Sequence, residues 1–242
     1  MTPAIEVASL VKTFGGLTAT NELSFTVEKG ESLGLIGPNG AGKTTVFSLI
    51  MGEHQQDSGT IKLNGEEISK LPTAARIKKG VCRTYQVPRP FADLTVRENI
   101  SVGLMPNSIR EMIFKTSDAA REIELASSVG LSEADLDRTV SELSMGDLRK
   151  LEFARTLATG ANIMLLDEVF AGLTSAEITM IADLVQQLRG SGVTFLIVSH
   201  DLPAMEPLVD RTIAIDRGTL LAEGSFTSVL ADETVRSSYL GT

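Results

Sequence analysis

The chain is poor in cysteine, in histidine, in clustered basic residues and in long apolar runs. Cys82 is its only cysteine, so no internal disulfide can form, and its place after Gly80 and Val81 suggests a small buried hydrophobe. No apolar run approaches the ~18 residues that a membrane-spanning helix needs. Residues 1–6 lack the charged start and apolar core of an export signal, so a cytoplasmic protein is expected unless a partner anchors it. The formal net charge is −9 and no dense Lys/Arg stretch occurs, which disfavours a nucleic-acid partner. No internal repeat or low-complexity tract is visible. With 242 residues, 43% of them hydrophobic, the chain can bury a full core as one unit of two lobes.

What is present is a phosphate cradle. Gly37-Pro38-Asn39-Gly40-Ala41-Gly42-Lys43-Thr44 fits G-x-x-x-x-G-K-[ST], and it follows an apolar run, Leu33-Gly34-Leu35-Ile36, that reads as a strand. Glycines allow a tight turn with N–H groups pointing inward, and a helix starting near Lys43 adds the positive end of its dipole. A nucleoside triphosphate is the implied ligand. Lys43 would reach its β- and γ-phosphates, and the Thr44 hydroxyl would hold Mg²⁺.

Further segments place themselves around that loop. Residues 4–30 alternate apolar and polar, and Asn64-Gly65 lies between two short runs as a hairpin turn, so a small antiparallel β-lobe is expected. Runs starting at Leu33, Val81, Ile163 and Val193 alternate with helical patterns, which implies a mostly parallel sheet flanked by helices. Three of these runs end in chemistry: Arg83-Thr84-Tyr85-Gln86, Asp167-Glu168 and Ser199-His200-Asp201. Leu143-Ser144-Met145-Gly146-Asp147 opens a helix whose apolar residues recur at helical spacing. Thr95 with Glu98 and Thr174 with Glu177 form capping boxes, and the helix after Thr174 reads as core packing. Residues 94–142 carry helical patterns and no strand run. The tail from Ile213 to Glu223 reads as a hairpin turning at Arg217-Gly218.

In this order, these segments resemble the ATP-binding cassette ATPases over nearly the whole chain. The resemblance implies a P-loop NTPase fold of α/β class, with a mostly parallel core sheet, an N-terminal antiparallel β-lobe and a helical subdomain inserted at approximately 87–150 of a single domain, 1–242. It implies that Ser144 and Gly146 belong to the signature motif that contacts nucleotide, and that Phe14 stacks on adenine, although an aromatic so near the N-terminus also serves as core. The cradle, from Gly37 through Pro38, Asn39, Gly40, Ala41, Gly42, Lys43 and Thr44 to Thr45, would hold the phosphates of ATP. Asp167 would act on Mg²⁺ with Thr44 and Gln86. An acidic pair at a strand end can simply face solvent, but hydrolysis needs a carboxylate that takes a proton from water, and Glu168 stands where the family has that base. His200, one of two histidines and open to a structural reading, would sense the γ-phosphate. Gln86, otherwise an ordinary polar strand end, would touch Mg²⁺ or the attacking water.

Phe14-Gly15-Gly16, Arg83-Thr84-Tyr85-Gln86, Leu151-Glu152-Phe153-Ala154-Arg155 and Ala171-Gly172-Leu173 are similar to the ATP-binding subunits of branched-chain amino acid uptake systems. On that likeness the chain would pair head to tail, as a homodimer or heterodimer. It would dock on transmembrane permease subunits at the cytoplasmic face of an inner membrane, and serve an extracytoplasmic solute-binding protein indirectly. A lipopolysaccharide-export ATPase and a soluble, non-transport cassette are the alternatives. Three positions depart from the family pattern: Asp147 ends the signature in place of Gln or Glu, Val169 replaces a proline, and Thr174 replaces Asp or Asn. Arg97 is taken as an exposed charge on the permease-facing insertion.

Overall fold

The computed structural model describes residues 2–85, 87–105 and 118–240. Two sheets organise them. Strands β1 (Ile5–Phe14), β2 (Leu17–Val27), β4 (Ser58–Leu63) and β5 (Glu66–Glu67) form an antiparallel sheet in the order β2-β1-β4-β5, with Asn64 and Gly65 turning the last hairpin. The larger sheet runs β10-β9-β3-β8-β7-β6, built from β3 (Ser32–Ile36), β6 (Val81–Arg83), β7 (Ile163–Asp167), β8 (Thr194–Val198), β9 (Arg211–Asp216) and β10 (Thr219–Gly224). All neighbours in it are parallel except the β9–β10 hairpin.

The central strands are apolar on both faces because both faces are covered. Ile163, Leu165, Leu196 and Val198 point into the core shared with the β-lobe and helix α1 (Lys43–Met51), whereas Met164, Leu166, Phe195 and Ile197 join the core under helices α5 (Met145–Ala158) and α6 (Ser175–Gly190). Period-two alternation thus divides one continuous hydrophobic run between two cores. Between β5 and β6 a short helix α2 (Thr73–Lys78) carries the fully buried Arg76. Its guanidinium donates to the carbonyls of Leu49 and Ile50, acceptors at the end of α1, and to those of Ser69 and Leu71 in the segment after β5.

Helices α3 (Val96–Leu104) and α4 (Ala119–Ser128) pack on α5, joined by single turns at Glu133–Asp135 and Val140–Glu142. Val96, Ile100, Leu125, Leu136 and Leu151 bind this group to the core beneath α5 and α6. The residues described between β6 and β7 contain no strand beyond the isolated bridge Thr95–Thr139. Both expected capping boxes are formed, and Ser132 with Asp135 and Thr139 with Glu142 add two more. Arg97 is a correction. It is half-buried and pairs with the buried Glu122 at 3.4 Å and with Asp137 at 3.2 Å, so it ties α3 to α4 instead of standing free on the surface. After β8 come α7 (Leu202–Met205), the β9–β10 hairpin, α8 (Phe226–Ala231) and α9 (Glu233–Leu240). Among the described residues no helix is long and apolar enough to cross a membrane.

Candidate functional site

The site lies where β3, β7 and β8 end. The loop at 37–42 leaves β3 and enters α1 through Gly42, whose φ of 106° and position forbid a side chain: a Cβ there would lie 2.2 Å from the Ala19 carbonyl oxygen. Gly37 is as crowded, with its Cβ position 2.2 Å from the Ile215 oxygen. The hairpin turn at Gly218 braces the loop, donating to Ala41 O at 2.9 Å and accepting from the Asn21 amide at 2.9 Å. From the far end of the chain, the Tyr239 hydroxyl on α9 accepts a hydrogen bond from the Gly37 amide at 2.8 Å.

Lys43, at the first position of α1, is buried, and its ammonium donates to Gly37 O at 2.7 Å and Pro38 O at 3.0 Å. Burial pushes its pKa down, while the charges of Glu168 and Asp167 pull it up. Asp167 ends β7, and the buried Arg83 at the end of β6 donates to its Oδ2 at 2.6 Å. Glu168, the next residue, takes φ 51°, a left-handed conformation that non-glycine residues adopt where the surroundings impose it. Its amide donates to Val198 O at 2.9 Å, which locks the turn to β8. Across that junction Glu168 Oε2 accepts from the His200 amide at 3.0 Å, and its Oε1 lies 3.4 Å from His200 Nε2. The His200 side chain is 60% exposed, so its ring stands at the mouth of the site.

A cleft of about 610 Å³ gathers these groups. Phe14, residues 39–45, Arg83, Asp167, Glu168 and His200 line it, together with Leu17, Tyr85 and Arg89. Phe14 is exposed at one end, its ring in T-shaped contact with His54 at 5.2 Å and lying under the Lys12 ammonium at 5.2 Å from the centroid. His54 is on the surface and touches an expected site residue. Gln86 lies outside the described residues. The donor set suits a nucleotide with a divalent cation: a glycine-built loop ending in a lysine, then a hydroxyl at Thr44 and a buried carboxylate at Asp167.

Ser144 and Gly146 do not line this cleft. Ser144 caps α5 by accepting from the Asp147 amide at 3.1 Å, and its hydroxyl donates to Asp147 Oδ2 at 3.1 Å, so the aspartate at this departure position closes the first turn of the helix. The Gly146 amide donates to Glu177 Oε1 at 2.9 Å. Val169 is fully buried, so the position that departs from proline serves the core. Thr174 is the N-cap of α6.

Several residues around the site escape a reading by motif. Arg149 on α5 is completely buried; its Nη1 donates to Tyr85 O at 2.6 Å and to Glu152 Oε2 at 2.9 Å, while Glu152 Oε1 accepts from the Tyr85 amide at 3.0 Å. The pair clasps both backbone groups of Tyr85, the residue before Gln86. Burial raises the Glu152 pKa, against the pull of the Tyr85 amide and of Arg149. The available signal is a buried-helix pattern that spends two positions on opposite charges three residues apart.

Comparison with known proteins agrees with this arrangement. A family model described as ABC transporter matches residues 20–171. The chain is similar to the high-affinity branched-chain amino acid transport ATP-binding protein BraF of Pseudomonas aeruginosa, 36% identical over 250 residues that cover 99% of this chain and 98% of the relative. It is similar as well to the lipopolysaccharide export system ATP-binding protein LptB of Escherichia coli, 34% identical over 233 residues, 96% of this chain and 95% of that protein. Among solved structures, a nucleotide-free ATP-binding cassette from an ABC transporter superposes with a TM-score of 0.89 at 29% identity, covering 99% of this chain and all of the other.

Proposed function

The chain belongs to the ATP-binding cassette family, as the ATP-hydrolysing subunit of a transporter, and from that premise we propose that it powers uptake of branched-chain or related amino acids through a membrane permease. The observation that carries the uptake reading is the likeness to a branched-chain amino acid transport ATPase along nearly the whole of both chains. The comparable likeness to LptB makes export of lipopolysaccharide the second reading.

In the mechanism we infer, the phosphates of ATP lie in the loop at 37–45, against its amides and the Lys43 ammonium, and adenine lies on Phe14. The loop carbonyls that Lys43 now contacts would yield it to the phosphates, a stronger charge-assisted partner. Glu168 takes a proton from the attacking water, and its fixed backbone keeps that carboxylate at the cleft wall. His200, in contact with Glu168, faces the terminal phosphate from the mouth. Thr44 and Asp167, with Gln86, would hold Mg²⁺, which when bound offsets charge on the phosphate oxygens. No group of three His, Cys, Asp or Glu side chains among the described residues makes a metal cage, which suits a cation that shares its ligands with a nucleotide. Catalysis is then positioning and electrostatics.

Ser144 and Gly146, away from the cleft of their own chain, would serve the nucleotide of a second cassette in a head-to-tail pair. Residues at approximately 87–150 would form the inserted subdomain that meets the permease at the cytoplasmic face of the membrane, with a solute-binding protein supplying the cargo on the other side. Co-expression with a candidate permease of the branched-chain amino acid uptake type, followed by reconstitution and assay of ATP-dependent uptake of labelled leucine, isoleucine and valine, tests this reading. Uptake dependent on Lys43 supports it; ATP-driven lipopolysaccharide release without amino acid uptake replaces it with the second.

A further inference from the structure

Arg83 stands at the end of β6, where a buried strand exchanges its apolar pattern for a guanidinium. The group is held from three sides: Nη1 donates to Glu53 Oε2 at 2.8 Å and to Ser48 Oγ at 3.1 Å, and Nη2 donates to Asp167 Oδ2 at 2.6 Å. Phe47 and Tyr85 flank it, with ring centroids 5.6 and 5.2 Å from the guanidinium carbon. The Tyr85 hydroxyl donates to the other oxygen of Glu53 at 3.0 Å. The Arg83 side chain is 5% exposed. A planar fork clamped between two rings and tied to a carboxylate and a hydroxyl has little freedom, and the carboxylate on its other arm inherits that rigidity.

The carboxylate is Asp167. A free aspartate at a strand end can rotate and offer either oxygen, or both, to a cation. One whose Oδ2 is committed to a guanidinium presents a fixed orientation and a reduced charge. Loss of a group that orients a metal-binding side chain from behind typically costs about 10- to 100-fold in metal affinity. Lysine could supply the charge but not the two-armed geometry that spans Glu53 and Asp167.

We propose that Arg83 is the positioning residue for the magnesium carboxylate, holding Asp167 in the orientation that serves the cation and so setting the Mg²⁺ concentration at which the protein binds and hydrolyses ATP. This rests on the assignment of Asp167 to Mg²⁺. Glu53 and Ser48 act through Arg83, from outside the catalytic groups.

The test compares Arg83→Gln, Arg83→Lys and Glu53→Gln with the wild type in two measurements: nucleotide affinity in EDTA and in Mg²⁺, and the Mg²⁺ concentration for half-maximal hydrolysis. Arg83→Gln should lower affinity in EDTA far less than in Mg²⁺, since Arg83 also borders the cleft, while raising the Mg²⁺ requirement about 10- to 100-fold. Arg83→Lys should fall between it and the wild type, and Glu53→Gln should shift the requirement in the same direction by less. An unchanged Mg²⁺ requirement in folded Arg83→Gln overturns the proposal, and so does an equal loss of affinity with and without the metal, which marks a purely structural residue. Should Arg83→Gln fail to fold, Glu53→Gln decides, since an unaltered metal dependence there removes the chain of contacts on which the proposal stands. A wild-type protein whose nucleotide affinity ignores Mg²⁺ would overturn the Asp167 assignment and this proposal together, an outcome distinct from one in which only the variants behave alike.

Discussion

The Gly146 amide donates to Glu177 Oε1 at 2.9 Å, while the second oxygen of the same carboxylate accepts from the amide and hydroxyl of Thr174 at 2.9 and 2.8 Å. One side chain therefore holds the starts of two helices, α5 and α6, and joins Gly146 to the turn that follows β7. An anion that takes the Gly146 amide has to displace Glu177 first.

Acid should loosen these helix starts before it unfolds the sheets. Glu98, Glu142 and Glu177 are held below the ordinary value of 4.5, chiefly by the backbone amides of Thr95, Thr139 and Thr174. Asp135 is lowered from 3.8 to about 2, chiefly by the Ser132 hydroxyl and Arg138. A depressed carboxyl contributes stability that is complete above its unfolded value and disappears as pH falls through its folded one. Three of the four boxes lie between residues 95 and 142. Hydrogen exchange followed by mass spectrometry should show the segments that begin at Thr95, Ser132 and Thr139 losing protection below roughly pH 4, ahead of β3, β7 and β8. Simultaneous loss throughout the chain would contradict this.

Replacing Lys43 with Ala should weaken ATP binding roughly 10- to 100-fold, the equivalent of about 1.5–3 kcal/mol for a hydrogen bond to a charged group. Far-UV circular dichroism should remain that of the wild type, because the backbone of the loop is braced by Gly218 and Tyr239. Calorimetric titration with ATP measures the affinity.

Glu168→Gln should bind ATP as the wild type does and hydrolyse it about 10²- to 10⁴-fold more slowly, since an amide cannot take the proton. The amide oxygen can still accept from the His200 amide, so the turn should survive. Phosphate release and light scattering with ATP and Mg²⁺ check both parts: slow turnover and accumulation of a pair of chains are expected.

Arg149→Ala should destabilise the fold by about 3–5 kcal/mol, because it strands the buried Glu152 and removes the donor to Tyr85. Glu152→Gln should cost less, since its amide oxygen can still accept from the Tyr85 amide. Urea unfolding of the two variants gives the order.

Local patterns carried much of the fold. The strand runs, the hairpins at Asn64 and Arg217 and the capping boxes at Thr95 and Thr174 each rest on residues within four positions of one another, where sequence periodicity and turn chemistry act directly. The cleft was legible for a related reason. A loop motif and two strand ends imply one place once the strands are parallel neighbours, and β3, β8 and β7 are adjacent in the sheet.

What escaped was contact across distance. Arg83 finds Asp167 across 84 positions, Arg149 finds Tyr85 across 64, and no spacing rule connects either pair. Arg97 failed for the same reason: a charge at a helix start reads as solvated until Glu122 and Asp137 are placed beside it. Glu177 was visible as a capping residue, but its second bond needed the two helices side by side.

The contact between Tyr239 and Gly37 spans 202 positions of the sequence. During synthesis the loop at 37–42 precedes its acceptor by those 202 positions, so the Gly37 amide waits without it while the strands between them are translated. Loop closure over such a separation is slow relative to local folding, so the nucleotide site should be among the last parts of the chain to reach its final form on the ribosome.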